Sequence, residues 1–341
     1  MKAKFIAAAM AIAAASLHNT AAGCSRVLYV GNDSLRIVGR SLDWKTPIPT
    51  NLYVYPRGME KKGHDLPGAI QWTSKYGAVG YDGGVTEGMN EKGLVVSGLF
   101  CKGTVYVNDS TNNRPPMSLS MFPAWLLDMC ATTDEAVAML REQNFTISGS
   151  TFDSGTVSTL HWGITDETGK SAMIEFEDGD LRIYEGQDIP VLTNDPNFPE
   201  MNAINEYWLA KGGTNTLPGT VSSPDRFVRA YFFDHHVEKT GDADLGLTII
   251  RSILFNVSVP YTYTAGEANV SSTQWRSFAN IRDRLYYFDI VTNPGIFYVD
   301  LNKCDLRPGA PVMKIDTSKS KDYLGDETSK LFKAQPFTPM Y

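Results

Sequence analysis

The sequence predicts an α+β fold, with antiparallel strands and helices in separate layers. Three observations carry this. Short strand-forming runs are joined by tight polar turns, which makes neighbouring strands antiparallel. Helix-period segments fall between groups of strands and do not alternate with them one for one, which argues against a doubly wound parallel sheet. The 341 residues are 43% hydrophobic and 20% charged, enough chain for a substantial core and too apolar for a disordered one.

In chain order, residues 26–30 and 35–40 flank the turn Gly31-Asn32-Asp33 and read as a hairpin. Residues 87–94 read as a tight turn between strands, with Asn90 and Gly93 serving backbone geometry and no chemistry. Residues 93–99 are strand-like. The apolar run 117–129 has helical spacing, which Pro123 would kink or split. Thr132-x-x-Glu135 has the form of a capping box and starts a helix over 133–141. A second hairpin, 172–176 with 181–184, turns at Asp178-Gly179. Segments 224–237 and 242–254 read as helices and 295–300 as a strand. With no internal repeat or linker in view, residues 24–341 are expected to form one domain.

Lys and Arg total 31 against 38 Asp and Glu, a net charge of −7, which argues against a nucleic-acid partner. Four Cys are too few for a disulfide scaffold, and five His in no HExxH pattern give no metal signature. Cys101, Cys130 and Cys304 read as buried small hydrophobes, although secretion would permit one disulfide among them. His64, His161 and His235-His236 read as surface or packing residues.

Residues 1–23 have the form of a secretory signal peptide: Lys2 and Lys4, an apolar run over 5–15, then Ala21-Ala22-Gly23. The apolar run is about half the length of a bilayer span, so no membrane span is expected. Cys24 follows. It could be the lipid-modified first residue of a bacterial lipoprotein, but Ala21 stands where such signals carry a bulky apolar residue. Alternatively Cys24 is an N-terminal nucleophile, with a thiol and an α-amine of unperturbed pKa about 7.7–8.0 on one residue. The hairpin returns Arg40 and Asp43 beside the chain's start. There a guanidinium would favour thiolate and a carboxylate could orient the amine. Spacing alone leaves this open against a surface Arg–Asp pair worth little.

Further motifs carry a resemblance. They are Cys24 with Gly39-Arg40-x-x-Asp43, Glu87-Gly88-Met89-Asn90-Glu91-Lys92-Gly93-Leu94, Leu192-Thr193-Asn194-Asp195-Pro196, Ser222-Ser223-Pro224-Asp225-Arg226-Phe227-Val228-Arg229 and Ser272-Thr273-Gln274-Trp275. In this order the chain resembles the choloylglycine hydrolase family, the N-terminal nucleophile hydrolases that include conjugated bile salt hydrolases and penicillin V acylases. The resemblance implies a four-layer αββα sandwich, with two antiparallel sheets between helix layers. It implies Cys24 as nucleophile, Asp43 as partner of its amine and Arg40 beside the sulfur. Asn194 and the Phe100 backbone N–H would be oxyanion donors, and Arg226 would complete the charged cluster. Read without the family, Asn194 is a turn residue before Pro196 and Arg226 a helix-surface charge near a Ser223 cap.

The resemblance further implies hydrolysis of a linear amide C–N bond without metal or organic cofactor. The expected substrate is a small-molecule amide, glycine- or taurine-conjugated bile salts first. The alternatives are a penicillin V or N-acyl homoserine lactone acylase or, in a different class, a lipid-anchored binding protein without catalysis. Phe100-Cys101 departs from the family, which has Asn or Tyr at the first position, and the segment between Tyr76 and Glu87 is short for a bile salt hydrolase. Both departures bear on substrate preference. Trp44, Phe100 and Phe122 are candidates to line an apolar pocket. The family also implies a homo-oligomer, tetramer or dimer, and with the signal it implies export to a bacterial periplasm, the alternative being a lipid anchor through Cys24. The sequon Asn144-Phe145-Thr146 would be used only in a eukaryotic secretory pathway. Intact mass of the secreted protein separates the two fates of Cys24: an unmodified N-terminal Cys24 is expected, and added diacylglyceryl mass would establish the anchor.

Overall fold

A computed structural model describes residues 23–48, 50–81, 87–107, 113–142, 145–148, 151–152, 156–263, 271–336 and 338–339. The signal-peptide expectation for 1–22 and the sequon's Asn144 lie outside the described residues.

Two sheets are built from β1 (Ser25–Val30), β2 (Arg36–Trp44), β3 (Leu52–Tyr55), β4 (Ala78–Tyr81), β5 (Glu87–Asn90), β6 (Val95–Phe100), β7 (Leu160–Thr165), β8 (Ser171–Glu177), β9 (Asp180–Gly186), β10 (Val191–Leu192), β11 (Ser272–Asn280), β12 (Leu285–Ile290), β13 (Phe297–Asp300), β14 (Met313–Ile315), β15 (Gly325–Asp326) and β16 (Phe332–Lys333). The seven-stranded sheet runs β10-β1-β2-β11-β12-β13-β15, and the nine-stranded sheet runs β9-β8-β7-β6-β5-β4-β3-β14-β16. Both are antiparallel apart from the β13–β15 pair.

Helices α1 (Phe122–Met129) and α2 (Thr133–Glu142) cover the nine-stranded sheet. On the seven-stranded sheet lie α4 (Ser223–His236) and α5 (Ala243–Asn256), with α3 (Phe198–Ala210) packed beside α4. The result is an αββα sandwich with three apolar interfaces. Phe122, Leu126 and Val137 meet Trp162 and Ile174 on one outer face. Leu28, Val38 and Trp275 meet Val79 and Val95 between the sheets. Val27 and Ile37 meet Phe227 and Ile250 on the other outer face. Adjacent residues such as Val27 and Leu28 are thus both buried, so burial in β1 is continuous along the strand and does not alternate.

The hairpin turn of β8 and β9 holds Asp178 at φ 50 and Gly179 at φ 85, the two positive φ values of a type I′ turn. The 133–141 helix forms as α2, with Glu135 N–H donating to Thr132 Oγ1 at 3.2 Å. The Glu135 carboxylate reaches back to Ala131 N–H at 2.7 Å, one residue short of a closed capping box. Over 117–129 the sequence reading is corrected. Pro116–Ser118 is a strand paired in parallel with Thr146–Ser148, and only Phe122–Met129 is helical. Pro123 sits in the first turn, where its missing N–H costs nothing. Helix α3 was not anticipated; Asn197 caps it by accepting Glu200 N–H, and Pro199 stands in its first turn. All four cysteines are free thiols, and Cys304 is only half-buried. Among the described residues no helix is long and apolar enough to cross a membrane.

Gly88 lies where β5 passes under α1. A Cβ there would stand 2.5 Å from the Val79 carbonyl oxygen and 2.9 Å from Leu127 Cδ1. Gly88→Ala is therefore expected to destabilise the fold by about 1–3 kcal/mol, read as a lowered urea midpoint. An unchanged midpoint would contradict so close an approach.

Candidate active site

The site is assembled at the start of β1. The β1–β2 ladder pairs Arg26 with Arg40 and Ser25 with Ser41, and continuing that register brings Cys24 alongside the end of β2, where Asp43 stands. Arg40 lies between the sheets, 1% exposed. One of its amino groups faces Cys24 Sγ at 3.7 Å and donates to the Gly98 carbonyl at 2.9 Å. Its Nε lies 3.1 Å from the Glu87 carboxylate, which also accepts from the Ser277 and Tyr286 hydroxyls.

Asn194 and Arg226 close the other side. The Cys24 backbone N–H donates to Asn194 Oδ1 at 2.7 Å, which also accepts from Arg226 at 2.8 Å. The fully buried Arg226, near the start of α4, donates further to the Cys24 carbonyl and to Ser25 Oγ, each at 2.6 Å. Asn194 Nδ2 donates to the Phe100 carbonyl at 2.7 Å. Cys101 N–H pairs with Thr159 across the ladder, so strand alternation turns the Phe100 N–H and carbonyl the other way, toward Asn194.

Asp43 is fully buried. Its Oδ1 accepts from Thr273 Oγ1 at 2.6 Å, and Thr273 Oγ1 in turn accepts from Val259 N–H. A β-bulge at Gln274, between the pairs Thr273–Asp43 and Trp275–Leu42, sets this alignment. Asp43 Oδ2 has no hydrogen-bond partner among the described residues. It lies against Gly23, where a Cβ would stand 2.9 Å from it.

Cys24, Arg40, Asp43, Asn194, Arg226 and the Phe100 backbone are thus brought together. Trp44 is half-buried with its ring centroid 6.4 Å from that of Phe100, edge to face. Phe122 is a correction to the sequence expectation. It is fully buried against Trp162, Trp125 and Phe145 in the helix-to-sheet core, because the first turn of α1 points it inward. Sequence reasoning missed Glu87 and Thr273, the carboxylate and hydroxyl that hold Arg40 and Asp43. Both stand in quoted motifs, but an acid before a turn and a Thr in a strand carry no signal of their partners.

Residues 24–323 match the family model described as linear amide C–N hydrolases, choloylglycine hydrolase family. The chain belongs to this family. Choloylglycine hydrolase relatives include the penicillin V acylase of Pectobacterium atrosepticum, 34% identical with 92% of this chain and 91% of that one covered. The bile salt hydrolase/transferase of Clostridium perfringens is 26% identical, with 83% and 94% covered. Among solved structures, penicillin V acylase from Agrobacterium tumefaciens superposes with a TM-score of 0.85 at 37% identity, covering 93% of this chain and 99% of that one. A conjugated bile acid hydrolase of Clostridium perfringens shares the fold at TM-score 0.73 and 22% identity, with the same coverage. The protein is therefore an enzyme, a hydrolase of linear amide C–N bonds.

With Gly23 in place, this choloylglycine hydrolase site holds Asp43 without a cation at Oδ2. Burial raises its carboxyl from 3.8 to about 6, outweighing the lowering by Arg226, Thr273 and Arg40. The folded state thus favours the neutral acid. That contribution to stability is fully present below about pH 3.8 and is lost as pH rises through about 6. In the unprocessed chain, where Gly23 is joined by peptide bonds on both sides, Asp43→Asn is expected to be more stable than its parent by roughly 1–3 kcal/mol at pH near 8, and to lose the advantage near pH 4. Urea unfolding across that range tests this; a pH-independent difference would refute it.

Proposed function

We propose that the mature chain starts at Cys24 and hydrolyses the amide of an apolar acyl group through its thiol, with phenoxyacetyl amides of the penicillin V type as preferred substrates. The observation that carries the reading is Asp43 Oδ2, a buried acceptor without a partner among the described residues, beside the residue that processing would remove. Cleavage after Gly23 turns the Cys24 nitrogen from a peptide N–H into an amine with added hydrogens. Asn194 Oδ1 already holds one hydrogen, and Asp43 would receive another.

The thiol then gives its proton to this amine, and Sγ attacks the substrate carbonyl carbon while Arg40 faces the growing charge on sulfur. The second Asn194 Nδ2 hydrogen and the Phe100 N–H stabilise the oxyanion, where one positioned donor is worth about 2.7–4 kcal/mol. As the C–N bond breaks, the ammonium protonates the leaving nitrogen and a thioester remains. Water adds to the thioester and gives its proton to the amine, and the acid departs as the thiol re-forms.

The acylase substrate is supported by the higher identities to penicillin V acylases, 34% and 37%, than to bile salt hydrolases, 26% and 22%. The edge-to-face Trp44–Phe100 pair beside the oxyanion site also suits an aryl group. Bile salt deconjugation, which the sequence reading put first, is the second reading, since the family model spans both activities. In the same proposal, export removes residues 1–23 and the mature chains assemble as dimers or tetramers.

Phenoxyacetate release from penicillin V is expected to exceed taurine release from taurocholate on one purified sample; the reverse order would make the protein a bile salt hydrolase. Cys24→Ser should remain folded and lose turnover by roughly 10⁴-fold or more, and rates near wild type would reject the nucleophile.

A further inference from the structure

His161 on β7, 1% exposed, is more than a packing residue. Its Nε2 lies 2.6 Å from the Thr193 carbonyl oxygen and its Nδ1 2.8 Å from Glu175 Oε1. A carbonyl oxygen only accepts, so Nε2 carries a hydrogen. Nδ1 faces a carboxylate whose oxygens also accept the Phe198 N–H, at 3.1 and 3.0 Å. Burial alone would lower the imidazole's pKa, but Cys101 and Glu175 beside it outweigh that and raise it well above the ordinary value. With an acceptor oxygen at each ring nitrogen, the geometry suits a protonated ring paired with a carboxylate.

The segment this pair grips needs gripping. β10 ends at Leu192, paired with Arg26, so the ladder stops two residues before Asn194. Beyond it, position depends on side chains. His161 holds the carbonyl of Thr193 at one end, and Glu175 holds the N–H of Phe198 at the other. Between them the Asp195 carboxylate accepts the Lys102 and Gly103 N–H groups, tying the segment to the loop after Phe100. Asn194 is the second residue of this clamped stretch.

We propose that His161 and Glu175 are a positioning pair for amide hydrolysis, clamping the Thr193–Phe198 segment at both ends and so aiming the Asn194 side chain at the Cys24 nitrogen and the oxyanion. The pair does not touch substrate, and it acts through Asn194. The proposal rests on the Cys24 reading, and the test separates the two.

Active sites are counted by alkylation and mass spectrometry, and turnover is expressed per titrated Cys24. In His161→Leu, kcat per site is expected to fall about 10- to 100-fold, the cost of a small misplacement of a catalytic group, while KM changes by less than about threefold. His161→Gln, which keeps an N–H donor for the Thr193 carbonyl, should recover about tenfold of this. Glu175→Gln, of the same shape, should lose turnover severalfold and serves as the test should His161→Leu fail to fold. Wild-type kcat per site in folded His161→Leu, or in Glu175→Gln when that variant serves instead, would overturn the clamp, even with fewer titratable sites or lower thermal stability. Inactivation of the wild type that tracks alkylation of a residue other than Cys24 would instead overturn the nucleophile reading, and the clamp with it.

Discussion

An imbalance of buried charge shapes the space between the sheets. Arg26, Arg40 and Arg226 are all essentially unexposed, and the carboxylates nearest them are Glu87 and Asp43. Glu87 is committed to Arg40, and burial leaves Asp43 favouring its neutral form up to about pH 6. Arg26 has one side-chain hydrogen bond, to Thr165 Oγ1. Burial pulls its pKa down to about 10, against the opposing pull of Glu87. Burying cations without equal counter-charge costs several kcal/mol per ion, a cost that packing for stability alone would avoid. In the proposed reaction, a thiolate and a tetrahedral oxyanion would be the anions that this layer receives.

Holding those cations in register falls to the architecture. An αββα sandwich buries both faces of each sheet, so side chains from β1, β2, β5 and β11 converge in a slab closed to water on either side. Within that slab the low dielectric strengthens every contact. Arg40 is fixed at three points: Glu87 at Nε, the Gly98 carbonyl, and the face of Trp275, whose ring centroid lies 4.8 Å from the guanidinium carbon. The bulge at Gln274 does the same for Asp43 by presenting Thr273 Oγ1 to it. The supporting groups are rigid-strand residues, which is what preorganisation asks of a site.

Legibility in the sequence followed the range of the interactions. Cys24, Arg40 and Asp43 could be brought together from spacing because one short hairpin links them. The Asp178-Gly179 turn was legible because both residues favour positive φ. Asn194 and Arg226 lie 170 and 202 residues from Cys24 and entered only through the family resemblance. No local pattern distinguishes an Asn before Asp-Pro that receives the Cys24 N–H from one that makes a turn. Phe122 was misjudged because its surroundings were guessed from residue type, whereas topology decides them; His161 is buried, one of the two places expected for it. A phenylalanine in the first turn of α1 points into the core, and a buried histidine near the start of β7 finds acceptors at both ring nitrogens.

Gly23 and Asp43 bind maturation to the same electrostatics. While residue 23 is attached, the nitrogen of Cys24 is a neutral peptide group donating to Asn194, and Asp43 Oδ2 lies against Gly23 with no hydrogen-bond partner among the described residues, surroundings suited to a protonated acid. In the proposed maturation, freeing the amine would place a group that can carry positive charge beside that oxygen, which would favour the carboxylate and, reciprocally, the ammonium. The guanidinium groups of Arg226 and Arg40 oppose the ammonium. An amine between a carboxylate and two guanidiniums can exchange its proton in either direction, which a group that is base in one step and acid in the next requires. The small size of residue 23 matters to the uncleaved chain, where any Cβ would press on Asp43, and the proposed cleavage would remove the residue and the constraint together.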